Sequence, residues 1–276
     1  MAINHCYIPR PPLSAFIEFF WLYEGDIPLH NKERRLPDGA ASLIISLRNE
    51  HIRIYDWHAP SRFHDCGGIV MSGARSELAL IDTGCQEEIL GVQFRAGGAF
   101  PFLALPANDL HNEIVSLDML WGEAAIDLRE QLLVARTREM RFQILEQFLL
   151  ARLDGQSAII HPAAAFALKE FQTISYGYNV RQVSEQIGIS QTRFIQVFRE
   201  AVGLTPKQYC RVLRFQEVLR MMERGVSVGS YAELALNCGY YDQAHFIHDF
   251  QAFAGLTPGA YFTQRGEHRN HIPLLD

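Results

Sequence analysis

The chain is poor in the features that mark several large protein classes, and each shortage removes one of them. Its longest apolar runs, such as 17–23 with Glu18 inside it and 163–168, fall far short of the roughly 20 residues a bilayer-spanning helix needs. No membrane partner is expected. Five cysteines, at positions 6, 66, 85, 210 and 238, are odd in number and widely scattered, which does not read as a disulfide framework. Residues 1–13 lack the basic start and apolar stretch of a secretory signal, so a reducing cytoplasm is the expected setting. An excess of Lys and Arg is missing too: the formal net charge is −6, which taken as an average disfavours a nucleic-acid partner. There is no GxSxG, no P-loop and no GxGxxG, so no enzyme activity and no cofactor are expected. His51, His58, His64 and Cys66 lie near one another in sequence but lack a closely spaced His pair with a Glu, and no metal site is expected.

What is present is an ordinary globular composition, 48% hydrophobic and 20% charged over 276 residues, long enough for two domains with separate cores. Before Phe102 the hydrophobic pattern comes in short strand-like runs at 16–23, 42–47, 51–57, 69–72 and 89–94, separated by turn formers such as Leu36-Pro37-Asp38-Gly39. After about Asn108 the period is helical almost throughout. Segments 122–135 and 137–153 read as helices, the second with Met140, Ile144, Leu145, Phe148 and Leu149 on one stripe. That stripe packs either on its own domain or on a second copy as a homodimer seam. Asp154-Gly155-Gln156-Ser157 is the natural hinge. The fold class is α+β, with a β-rich domain and trailing helices over 1–155 and an all-α domain of seven helices over 156–276. Charge divides at the same place. Residues 1–155 carry seven more acidic than basic side chains, while 156–276 carry one more basic.

An internal repeat lies in the second half. Phe194, Ile195, Phe198, Gly203, Leu204, Thr205, Pro206 and Tyr209 recur as Phe246, Ile247, Phe250, Gly255, Leu256, Thr257, Pro258 and Tyr261, each pair 52 residues apart. Ahead of each copy stand a short helix, a glycine turn at Gly188 or Gly239, and an N-cap residue, Ser190 or Asp242. Ser230-x-x-Glu233 and Asn179-x-x-Gln182 read as capping boxes. Thr205-Pro206 and Thr257-Pro258 set a cap before a proline at the first helical position. Each copy is therefore expected to be a helix-turn-helix.

Helical geometry places Phe194, Val197, Phe198 and Ala201 on the inner face of the first recognition helix, with Thr192, Ile195, Gln196 and Arg199 outward. In the second, Phe246, Phe250 and Phe253 face inward and Ala244, Ile247, His248 and Gln251 outward. Isoleucine there fits a thymine methyl and glutamine fits adenine, although each is also an ordinary residue for a core edge or a solvated surface. A helix over 206–224 joins the copies and would be roughly 28 Å long, close to one turn of DNA at about 34 Å. Arg211, Arg214, Arg220 and Arg224 on it are candidates for phosphate contacts or for a solvated face.

These motifs resemble the DNA-binding domain of the AraC/XylS family of bacterial transcriptional regulators over residues 160–265. The resemblance rests on Ser190-Gln191-Thr192-Arg193-Phe194 through Gly203-Leu204-Thr205-Pro206, and on Cys238-Gly239-Tyr240, Asp242-Gln243-Ala244-His245-Phe246 and Gly255-Leu256-Thr257-Pro258. It implies a double-stranded DNA operator read by Gln191, Thr192, Arg193, Ile195 and Gln196, and by Gln243, Ala244, His245, Ile247 and His248; the outward Arg199 joins them as a candidate from helical geometry. The second copy departs from the family in having His248, Asp249 and Gln251 where basic residues are usual. Residues 1–155 resemble the β-rich N-terminal domain of some such regulators through Phe20-Trp21, Leu36-Pro37-Asp38-Gly39 and Gln93-Phe94-Arg95-Ala96-Gly97-Gly98. That implies an effector-binding or dimerising domain, with Trp21, Tyr23, Arg35, Trp57 and Arg95 as candidate effector contacts or, equally, as core aromatics and surface cations. By the same resemblance the chain would be an activator that works as a homodimer with RNA polymerase. Two rivals stand beside a small-molecule effector: control by a protein partner or by thiol oxidation at Cys66 or Cys85, and an N-terminal enzyme tethered to DNA.

Overall fold

The computed structural model describes all residues except 1–4, 27, 29, 85, 154–159, 174–179, 225–229, 267, 275 and 276. Cys85, Ile174, Asn179 and the 154–157 hinge thus lie outside the described residues.

The alternation of the first strand-like run becomes β2 (Ile17–Glu24), with Phe20 and Leu22 on one face and Trp21 on the other. It sits in a six-stranded antiparallel sheet ordered β1 (His5–Tyr7), β2, β9 (Glu88–Phe94), β4 (Ser42–Ser46), β7 (Ile69–Ser72) and β10 (Ile114–Ser116). A second sheet is ordered β11 (His271–Pro273), β3 (Lys32–Arg35), β8 (Ala79–Asp82), β5 (Arg53–Tyr55) and β6 (Phe63–Asp65). The sheets face each other across a thin core of Ile54, Cys66, Val70, Ala79 and Ile114. Trp21 lies flat in the space that a side chain at Gly91 would need, where an added Cβ would stand 2.1 Å from the indole; this is why the neighbouring strand carries glycine there.

The outer face of the six-stranded sheet is covered by α1 (Asp118–Trp121), α2 (Glu123–Val134) and α3 (Arg138–Arg152). Leu145 and Leu149 are fully buried there with Phe20, Leu22, Leu43 and Val92, and Ile144 and Phe148 pack at the edge. The apolar stripe of 137–153 is therefore core of its own domain, and the homodimer seam on Leu145 is corrected: each such leucine contributes about 1.5–3 kcal/mol by leaving water, and only Met140 of the five is exposed.

The seven expected helices follow: α4 (Pro162–Thr173), α5 (Val180–Ile187), α6 (Gln191–Val202), α7 (Pro206–Glu223), α8 (Tyr231–Asn237), α9 (Gln243–Ala254) and α10 (Pro258–Gln264). Helices α5–α6 and α8–α9 are the two helix-turn-helix units, turning at Gly188 (φ 74°) and Gly239 (φ 75°), a left-handed backbone that glycine adopts without strain. Thr205 and Gln208 complete a capping box at the start of α7. The first module packs around Phe171, Phe194, Phe198 and Tyr209 and the second around Phe215, Phe246, Phe250 and Tyr261. Each core also takes in β-domain residues, Ala74 for the first and Leu36 and Leu78 for the second.

Candidate nucleic-acid interface

Each recognition helix starts on a side-chain cap. Ser190 Oγ accepts from the Arg193 N–H at 3.3 Å and an Asp242 carboxylate oxygen from the His245 N–H at 2.7 Å, interactions worth about 1 kcal/mol each. The caps fix the first turn, and the inward phenylalanines fix the rotation of the helix. With that rotation Gln191, Thr192, Arg193, Gln196 and Arg199 are exposed on α6 and Ile195 is half-buried. On α9, Gln243, Ala244 and His248 are exposed, whereas His245 and Ile247 are half-buried. Gln196 Nε2 donates to Glu200 Oε1 at 2.9 Å, so its amide is held along the helix and must exchange that partner to read a base.

Electrostatics separate the two modules. Asp249 is 3% exposed; its carboxylate accepts from Arg211 Nη2 at 2.7 Å and Nε at 3.3 Å. It takes no place on the outward face, so its negative charge does not weaken that face. His245 leans the same way, with Nε2 3.9 Å from Asp249 Oδ2 and its ring edge-on to Tyr240. Three of the four rod arginines are engaged within the chain. Arg211 is engaged by Asp249, Arg214 lies over the Tyr240 ring and reaches the Gly239 carbonyl oxygen at 3.4 Å, and Arg220 pairs with Glu217. Of the four, Arg224 stands exposed at the end of the rod.

The five candidate effector residues do not form one pocket. Tyr23 donates its hydroxyl to the Asp26 carbonyl oxygen, and Arg95 donates to the Ser14 carbonyl oxygen on an exposed edge. Trp57 lines a cleft of about 550 Å³ between the β domain and the second module, beside Arg75, Arg211 and Phe253. Burial pushes the Arg75 guanidinium down to about 10. Trp21 and Arg35 do come together. They line an apolar gap of about 70 Å³ between the sheets, with Ile44, Val70, Ile81 and Ile89, and they also line an open cleft of about 310 Å³ with Glu18, Asp38, Gln93 and Gln216. His271 belongs to both linings, as does no other residue besides those two among the described residues. Gln86, 7% exposed, lines the gap with an Oε1 that has no hydrogen-bond partner among the described residues. Neither His271 nor Gln86 carried any periodic signal in sequence; both come to the site only through the sheet.

Comparison with known proteins places these features. Residues 183–264 match a family model described as a helix-turn-helix domain, and residues 5–116 match a domain of unknown function, DUF6597. An uncharacterized HTH-type transcriptional regulator of Haemophilus influenzae is 27% identical over 84 residues, 30% of this chain and 28% of that protein; the match thus spans under a third of the relative. Among solved structures, ToxT from Vibrio cholerae with an unsaturated fatty acid bound aligns at a TM-score of 0.47 and 8% identity, over 95% of this chain and 96% of its own. The DNA-binding domain of AdpA in complex with a target DNA aligns at 0.33 and 24% identity, over 37% of this chain and 90% of its own.

Proposed function

Residues 183–264 being a helix-turn-helix domain of the AraC type, we propose that the chain is a sequence-specific DNA-binding transcriptional regulator whose β domain answers to a small molecule. The observation that carries the first half is the pair of recognition helices, 52 residues apart in register, each capped at its start and exposed along the same outward positions. Gln191, Thr192, Arg193, Ile195, Gln196 and Arg199 would read one groove, and Gln243, Ala244, His245, Ile247 and His248 the next. Because residues 156–276 carry a net charge of only one positive unit, few counterions are released on binding, which favours operation as a homodimer. An activating contact with RNA polymerase belongs to the same reading.

For the effector, the support is the gap between the sheets and its mouth at Trp21 and Arg35. The fitting ligand has an apolar end that enters between Trp21, Ile44 and Val70, one hydrogen-bond donor for Gln86 Oε1, and an anionic end that meets Arg35 in the cleft. Control by thiol oxidation fits less well at Cys66, which is buried and whose thiol burial pushes up, because the reactive form is the thiolate. The reading is tested by selecting duplexes from a random pool with the full chain and by melting it with small monocarboxylates of graded apolar length. Enrichment of one sequence, with weaker enrichment by Gln196→Ala, and a rise in melting temperature lost in Arg35→Gln are expected. A pool that stays random removes the DNA half, and a melting temperature indifferent to every acid removes this effector class.

A further inference from the structure

Beyond α10 the chain turns back onto the domain it began with. The Tyr261 hydroxyl donates to the Arg269 carbonyl oxygen at 2.9 Å, and β11 then adds to the edge of the second sheet, pairing Ile272 with Arg34 and His271 with Arg35. The two faces of this strand belong to different domains. Ile272, fully buried, is part of the second module's core with Val212, Phe215 and Phe250. His271 points the other way, its Nδ1 2.8 Å from Glu33 Oε2 in the β domain. Gln216 of α7 ties the same seam by donating to the Pro37 carbonyl oxygen at 2.7 Å and to Asn270 Oδ1 at 2.9 Å.

One residue works against the seam. Arg34 is 9% exposed, and its Nε and Nη1 have no hydrogen-bond partner among the described residues. Its guanidinium lies 5.5 Å from the centre of the Trp57 ring, which is itself wedged against Gly255 of the second module. Burial holds its pKa below the ordinary arginine value, with no neighbouring charge to offset it. A guanidinium with two of its nitrogens buried and no carboxylate beside it is disfavoured, and parting the seam would hydrate those nitrogens. The closed seam also sets the β domain beside the first reading helix: the turn Ala107–Leu110, with Asp109 exposed, packs along α6. Asp109 thus adds a negative charge beside the helix whose exposed face carries Arg193 and Arg199, which works against attraction of a phosphate backbone.

We propose that β11 is an autoinhibitory latch, which holds the helix-turn-helix domain against the β domain in an arrangement that opposes DNA binding and whose release permits it. The inference rests on the DNA-binding reading above. Ile272 and the Glu33 to His271 contact keep the latch shut, and the unpaired charge of Arg34 keeps its closure marginal. Hydrogen exchange on the full chain, read at peptides covering 32–36 and 270–274, reports the latch, and titration of duplexes selected in parallel by the parent and by Ile272→Asn reports DNA. Ile272→Asn should speed exchange about tenfold and tighten DNA binding about threefold or more. Glu33→Gln, which keeps the core intact, should do the same to a lesser extent, and Arg34→Met should slow exchange and weaken DNA binding. Faster exchange in Ile272→Asn and Glu33→Gln with DNA affinity unchanged or lower overturns the inference alone, as does tighter binding by Arg34→Met. A pool from which neither protein enriches a sequence overturns the DNA-binding reading and the inference with it.

Discussion

Val197 in the first module faces the core, and the residue 52 positions on, in the same place in the second, is Asp249. Around that one difference the modules diverge. The first closes without a buried charge, over a largely apolar core, and leaves Arg193 and Arg199 outward. The second draws Arg211 inward to neutralise Asp249 and presents His248 and Gln251. The repeat thus preserves shape while moving positive charge from surface to interior, so on the proposed reading the first module supplies phosphate attraction and the second depends on fit.

The largest effect that tests this contrast is on stability. Arg211→Met leaves Asp249 buried without its cation and should cost about 3–5 kcal/mol in denaturant unfolding. Adding Asp249→Val, which copies the first module, should recover most of the loss. A double variant as unstable as the single one would show that the pair has a role the aliphatic contact cannot fill.

Next in size comes the reading face. Gln196→Ala should cost about 1–3 kcal/mol on the selected duplex and relax preference at one base pair, while Arg193→Ala should weaken all sequences alike and flatten the salt dependence by about one unit. Titrations at two salt concentrations separate the two patterns, and a base-specific loss from Arg193→Ala would reverse the assignment.

Acid sharpens the comparison at the seam. The first module meets the β domain through apolar contacts, the second through the apolar contacts of Leu36, Leu78 and Trp57 and also through the tail, where burial first and then the charges of His271, Arg269 and Arg35 push His268 down to about 3. Burial likewise lowers His271, against the pull of Glu33. A histidine whose folded pKa lies below its free value near 6.5 favours docking fully above that pH, and the advantage falls as pH drops from 6.5 toward the folded value. Glu33 does not titrate in that window: burial raises its carboxyl, but the imidazoles of His271 and His30 outweigh this and hold it at about 2. Protection from hydrogen exchange, taken relative to the intrinsic amide rate at each pH, should therefore fall at 270–274 between pH 7 and 5 before it falls in α6. Simultaneous loss would mean that the seam opens as one body.

The smallest effect is the gain from His248→Arg, which restores an outward cation to the second module and should tighten binding a few-fold at low salt, with a slope steeper by about 0.9. No change in slope would place residue 248 away from the backbone.

The repeat, its caps and the outward faces of α6 and α9 were legible because each rests on local rules: a 52-residue period, N-cap chemistry, and a phenylalanine stripe that fixes rotation. Asp249 was within reach of the same rule, since three residues beyond Phe246 and one before Phe250 is an inward position, and only its charge suggested otherwise. What decided it was Arg211, 38 residues away. The strands β2, β4, β5, β7 and β9 also showed in sequence as apolar runs, whereas β3 (Lys32–Arg35), β8, β10 and β11 lie outside any such run. The effector residues were half legible. Trp21 and Arg35 meet because β2 and β3 lie in facing sheets; Tyr23 sits at the far end of β2, and Trp57 and Arg95 lie in loops, whose direction carries no periodic signal.

The placement of β11 has a consequence for the order of synthesis. His271 pairs with Glu33 across 238 residues, and at about 5–20 residues per second the edge of the second sheet waits on the order of ten seconds or longer for its neighbour. Through that interval β3 has an open edge, a template for any extended chain nearby, and the nascent β domain must be kept from pairing with its siblings on the same polysome. An extension fused shortly after Pro273 would crowd the same edge, so its first symptom would be aggregation during expression, before any change in the finished protein.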